Sequence, residues 1–196
     1  MMEYGVKELF GIAAVVLALI NYLPYLFGSL TKKIKPHIFT WSLWFILTSV
    51  AFYAQFTSGG GIGAWATGTT AFILLLITLV SLRNGFGYVR PFDWFALGGA
   101  VASILLWIIT KDPFWSIIIV SIIHSLCFLP TFRKGYTNPQ NESATAFIIT
   151  IFKYGCAIIA LNSYSVETVL FPATVMTTSF LFVSMLHWRK SVMKLR

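Results

Sequence analysis

Apolar residues along this chain arrive in long runs, separated by short polar or Gly/Pro-rich punctuation. Reading the runs against these breakers predicts seven helices near 9–30, 37–57, 61–83, 93–110, 112–130, 143–163 and 166–187. Each run is about 18 residues or longer, which at 1.5 Å rise per residue suits a hydrocarbon core of about 30 Å. Turn chemistry supports the two tightest divisions. Gly59-Gly60-Gly61 can adopt positive φ between the second and third runs, and Lys111-Asp112-Pro113 sets a proline at the first position of the fifth. Asp93 and Asp112 are placed to cap the fourth and fifth helices, and Ser143 to begin the sixth. The expected fold class is all-α, a polytopic membrane protein in which residues 1–196 form a single transmembrane domain.

Composition agrees with lipid as the solvent. Hydrophobic residues make up 58% and charged residues 10%, against roughly 25% charged in a soluble domain. The formal charge of +8 raises nucleic acid as a partner. The basic residues fall in short loops, however, and form no continuous stripe, so that reading is set aside. Cys127 and Cys156 both lie inside apolar runs, with no disulfide framework and no metal-ligand spacing. No cofactor or metal is expected. Glu3 and Glu8 beside Lys7 do not make the basic flank of a secretory signal, so the first run reads as a retained span.

Loop charge sets the expected direction. Lys32, Lys33, Lys35, Arg83, Arg90, Arg133, Lys134, Arg189, Lys190, Lys194 and Arg196 fall on one side of the scheme, and only Lys7 and Lys111 on the other. The basic side belongs in the cytoplasm, which places the N-terminus outside and the C-terminus inside a plasma or inner membrane.

Order and spacing repeat within the chain. Leu23-Pro24 closes the first span, a basic loop follows, and Lys35-Pro36 precedes Thr40-Trp41-Ser42-Leu43-Trp44. About 103 to 106 residues later, Leu129-Pro130 closes the fifth span, and after another basic loop Asn138-Pro139 precedes Ser143-Ala144-Thr145-Ala146-Phe147. Thr69-Thr70-Ala71-Phe72 in the third span is likewise matched by Thr177-Thr178-Ser179-Phe180 in the seventh. Two three-helix bundles, 9–83 and 112–188, joined by a linker helix at 93–110, give a 3+1+3 parallel repeat. This arrangement resembles the SWEET and PQ-loop (MtN3-like) superfamily, whose members include sugar transporters, amino-acid exporters and the KDEL receptor. Pro139-Gln140 stands where the superfamily's name places it, with Pro36-His37 in the first loop. The resemblance implies hinges at Pro24 and Pro130. Sugar-carrying relatives line their pocket with Asn on the third helix of each bundle, and no such Asn is present here.

Lys153 is the sharpest candidate. It falls near the middle of its run, too deep for its stem to reach either surface, and a central Lys disfavours insertion by about 2.5–3.5 kcal/mol. With Tyr154, His124 and Asn21 at similar depth it forms a candidate substrate-binding set for an anionic solute or a proton. The competing reading is a structural Lys paired with carbonyls, or one held neutral by desolvation. Trp44, Trp65, Thr69 and Thr177 complete the candidate set, with interfacial belts as the alternative for the tryptophans and helix–helix hydrogen bonds for the polar groups. Trp41 is divided evenly between belt and cavity. The prolines equally suit simple helix ends.

The function expected is a transporter that moves a small polar or anionic solute by alternating access. It needs no ATP, since no phosphate-binding Gly-rich motif is present. A seven-helix receptor or sensor of the same architecture is the alternative. An enzyme is not expected, because the six acidic residues all fall at or near span ends. The expected partners are a small solute and the lipid bilayer, with self-association as a homo-oligomer left open.

Overall fold

In the computed structural model, which describes residues 2–84 and 91–194, every apolar run becomes a helix. The order is α1 (Met2–Leu30), α2 (Ile38–Thr57), a 3-10 turn (Gly61–Ala64), α3 (Trp65–Ser81), a second 3-10 turn (Leu82–Asn84), α4 (Pro91–Thr110), α5 (Pro113–Thr137), a third 3-10 turn (Pro139–Asn141), α6 (Thr145–Ile159) and α7 (Val166–Lys194). Five stretches, Gly5–Leu30, Ile38–Thr57, Gly61–Ser81, Pro113–Thr137 and Val166–Met193, are long and apolar enough to cross a membrane. Two more helices, α4 and α6, are apolar but shorter over the described residues. Arg90 and Arg196, and the side chain of Asp93, lie outside the described residues.

Local chemistry accounts for the boundaries. Gly59 and Gly61 sit at φ +78° and +61°, and Lys111 at φ 54°, so both tight turns use left-handed backbone. Asp112 accepts a hydrogen bond from the Phe114 amide at 2.9 Å, and Pro113 takes the first helical position of α5. Ser143 stands just ahead of α6, where its Oγ accepts from the Thr145 amide at 3.3 Å.

Three boundaries differ from the sequence expectation. Pro130 does not end its helix, for α5 runs on to Thr137, whereas α1 ends at Leu30 as expected with Pro24 inside it. A proline costs its helix one hydrogen bond, and the bonds on either side of it still form. The sixth helix is shorter than expected. It stops at Ile159, where the Ala160 and Leu161 amides turn back to Cys156 and Ile158, and the Asn162 amide donates to the Gly60 carbonyl at 3.2 Å. The seventh extends beyond 187 to Lys194 and contains a further proline, Pro172.

Packing places α3 against both α1 and α2, and α7 against both α5 and α6. Across the middle, α1 meets α6 and α2 meets α5, while α4 rests on α5 and α2. The buried apolar core, including Leu47, Val50, Ile117, Val120 and Phe171, fills the space between these helices.

Candidate functional site

A cavity of about 320 Å³ lies inside the bundle and is lined from six helices. Asn21, Tyr22 and Tyr25 come from α1, Trp41, Trp44 and Thr48 from α2, and Thr70 and Leu74 from α3. His124, Phe128 and Thr131 come from α5, Ala146, Phe147, Thr150 and Tyr154 from α6, and Phe171, Val175 and Ser179 from α7. Its volume is at the small end of the range of ligand cavities, roughly 300–1,000 Å³. Among the described residues no aspartate or glutamate lines it. A larger groove of about 980 Å³ runs along Leu129, Pro130, Arg133, Lys134 and Glu142. It lies at the surface of the bundle, and its Lys134 is paired with Glu142 at 2.7 Å.

Lys153 is fully buried, so it neither faces lipid nor reaches a membrane surface. Its Nζ donates to Thr70 Oγ1 at 3.1 Å and lies 4.1 Å from the Tyr154 ring centroid and 5.0 Å from that of Tyr22. Two aromatic faces and one hydroxyl therefore hold the ammonium, a cation–π arrangement strengthened by the absence of water. The salt bridge found among the described residues is that of Lys134 with Glu142, and Lys153 has no carboxylate partner. Lys153 is not itself in the cavity wall. Its three holders, Tyr22, Thr70 and Tyr154, are.

Asn21 Nδ2 donates to Thr150 Oγ1 at 2.9 Å, a bond between α1 and α6 just beside this group. Tyr154 interacts with the side chains of Thr67 and Thr70, and Thr67 donates to Gln55 Oε1 at 3.0 Å. A buried polar chain thus runs from Lys153 through Thr70, Tyr154 and Thr67 to Gln55.

His124 lies in a different part of the wall, between the Trp44 ring at 4.8 Å and the Phe171 ring at 5.5 Å. Thr178 Oγ1 donates to the Thr174 carbonyl at 2.9 Å and sits 3.5 Å from His124 Nε2. The donor of that pair is set by the histidine tautomer, and the buried Nδ1 has no hydrogen-bond partner among the described residues.

Three of the expected site residues fall away from the cavity. Trp65 is 51% exposed and packs on Phe52 and Phe56. Thr69 and Thr177 each point off the wall, whereas the next residue along makes the buried contact: Thr70 to Lys153 and Thr178 to His124. One residue is a rotation of about 100° on a helix, and the sequence Thr-Thr carries no phase information. Tyr22, Thr48 and Phe171 went unnoticed in the sequence, although Tyr22 lies one residue from Asn21.

The cavity approaches one end of the bundle, since Tyr25, Trp41, Thr131 and the exposed Ala146 lie close to the basic loops. At the other end the helices close tightly. A Cβ on Gly63 would stand 2.5 Å from the Ala157 carbonyl oxygen and 2.7 Å from the Leu161 amide nitrogen, so only glycine permits this approach. Compared with known protein families, with curated proteins and with solved structures, the chain matches none.

Proposed function

We propose that this chain is a seven-span transporter resembling the SWEET and PQ-loop superfamily, with its N-terminus outside, moving a small polar or anionic solute by alternating access. The observation that carries this reading is the cavity, because its walls come from equivalent positions in the two halves of the chain. Tyr22 and Phe128, Tyr25 and Thr131, Trp41 and Phe147, Trp44 and Thr150, and Thr48 and Tyr154 are all about 106 positions apart. Thr70 and Leu74 relate in the same way, one position fewer, to Val175 and Ser179. Helix neighbours exchange under the same operation: α1 on α6 corresponds to α5 on α2. These correspondences support a 3+1+3 parallel repeat, with α4 as the linker and the cavity between the halves. The Thr-Thr-x-Phe likeness is about one helical turn out of step with them, so it plays no part in this correspondence.

Pro24 and Pro130 obey the same spacing, lie inside their helices, and each directly precedes a wall residue, Tyr25 and Thr131. Each leaves the carbonyl four residues earlier, on Ile20 and Leu126, without its helical donor. They are the hinges of the proposed cycle, in a state closed at the Gly63 end and open toward the basic end. Pro24→Ala and Pro130→Ala are expected to leave the protein in the membrane and to slow solute exchange in liposomes about tenfold or more, as stiffened hinges do. Exchange at the original rate in both variants would leave these prolines without a role in cycling.

The transport reading is tested by reconstituting the full chain in liposomes and measuring uptake and counterflow of labelled neutral, anionic and cationic solutes. Saturable counterflow is the expected result. Saturable binding with no flux of any bound solute would favour a receptor of the same architecture.

A further inference from the structure

The two halves of the cavity differ in chemistry, and the difference is concentrated around one residue. On the spacing that relates the walls, the counterpart of Lys153 is Leu47, and both are fully buried. The groups around Lys153 are polar where their counterparts are not. Tyr22 corresponds to Phe128 and Thr70 to Val175, and only Tyr154, opposite Thr48, faces another hydroxyl. One half has thus been fitted to hold an ammonium at a position that the other half fills with a leucine. A purely structural role would not need this, because the leucine half packs equally well without it.

From this asymmetry we infer that the cavity takes an organic monocarboxylate, with the carboxylate at the Lys153 pole and an aromatic or aliphatic body against Trp44, Phe128 and Phe171. The inference rests on the transport reading only in taking the cavity as the binding site. Charge favours it: among the described residues the cavity wall contains no acid, and Lys153, the buried lysine, has no carboxylate partner. An uncompensated charge in an apolar interior is costly, and a bound anion is the partner that offsets it. One positive charge suits one negative charge, so a carboxylate is preferred to a dianionic phosphate. The ammonium is one atom removed from the wall, since the hydroxyl that accepts its hydrogen bond belongs to the wall residue Thr70. One neutral donor adds to the pole: Asn21 Nδ2, which gives one N–H to Thr150 Oγ1 and keeps a second, while the Thr150 hydroxyl donates to the Ala146 carbonyl. Apolar walls supply the remainder of the contact, with Phe128 and Phe171 buried and Trp44 half-buried.

The test uses four probes that share one body and differ in the head: benzoate, benzamide, benzylammonium and phenyl phosphate. Binding to the purified full chain is measured by calorimetry. Benzoate is expected to bind most tightly, benzamide and phenyl phosphate at least tenfold more weakly, and benzylammonium not at all. Lys153→Leu should weaken benzoate by roughly 30-fold or more, the loss typical when one partner of a buried charge pair is removed, and bring it level with benzamide. Should that variant fail to fold, Thr70→Val tests the same pole, and is expected to weaken benzoate while leaving benzamide unchanged. The inference is overturned if benzamide or the cation binds as well as benzoate, if phenyl phosphate binds best, if no probe binds, or if Lys153→Leu still prefers the carboxylate. Flux of glucose without benzoate binding would overturn it while leaving transport intact. Benzoate binding without flux of any solute would uphold it and remove the transport reading.

Discussion

Lys153→Leu is expected to cut solute exchange at least a hundredfold while leaving the melting temperature unchanged or higher. Removing a buried charge and filling its space with an apolar side chain is neutral or stabilising by about 1–4 kcal/mol in many proteins. On the proposed repeat the other half supplies the precedent, for Leu47, which stands 106 positions before Lys153, is fully buried. A residue kept for packing alone would therefore show no penalty on replacement. Melting in detergent and exchange in liposomes, measured on the same preparation, separate the two roles. Original exchange with raised stability would make Lys153 an inherited structural oddity, which does not agree with a group that acts on solute. A collapsed fold would overturn the expected stability and pass the test of the solute role to Thr70→Val.

The second large effect belongs to the closed end. Gly63→Ala is expected to lower stability by about 1–3 kcal/mol, as overpacking does, and to force that end of the bundle apart. The added methyl would meet backbone atoms of Ala157, Ala160 and Leu161, which cannot rotate away as a side chain would. The seal it breaks includes the bond from the Asn162 amide to the Gly60 carbonyl. With Cys127 and Cys156 replaced by alanine, a Gln55→Cys reporter near that seal should react with a membrane-impermeant thiol reagent roughly tenfold faster or more in the Gly63→Ala background. Such a change corresponds to a shift of about 1.4 kcal/mol. An unchanged labelling rate would mean that the helices yield elsewhere and that Gly63 does not hold the end closed.

Helix number and approximate placement were legible because lipid imposes long apolar runs, and breakers such as Gly59-Gly60-Gly61 and Asp112-Pro113 punctuate them. Helix length was less so. Pro130 reads as a stop, yet the helix continues to Thr137, because a proline inside a helix removes one hydrogen bond and leaves those on either side to form. The burial of Lys153 was readable from depth alone. What depth cannot give is rotation about the helix axis. Thr69 against Thr70, and Thr177 against Thr178, differ only in phase, and on helices that are apolar all round there is no polar face to set that phase. Trp65 shows the same limit: it lies at the start of α3 and points outward, while Trp41 and Trp44 on α2 reach the cavity. The proposed repeat supplies a phase that the runs alone do not. Carrying the Leu23-Pro24 to Leu129-Pro130 spacing through the chain links Tyr22 with Phe128 and Thr48 with Tyr154, the positions that line the wall.

The shortness of α6 affects the lipid around it. Fifteen residues rise about 22 Å, several ångströms less than a hydrocarbon core of about 30 Å. Ile148, Phe152 and Ile159 form an outward face on this helix, which acyl chains meet directly in the proposed seven-span arrangement. Along that flank the membrane must thin, or the helix ends must draw polar headgroups inward, at a cost of fractions of a kcal/mol for each ångström of mismatch. The helix that carries Lys153 is therefore the one most sensitive to membrane thickness. Acyl-chain length becomes a control on the bundle, with thinner bilayers relieving strain at α6 and thicker, sterol-rich ones adding to it.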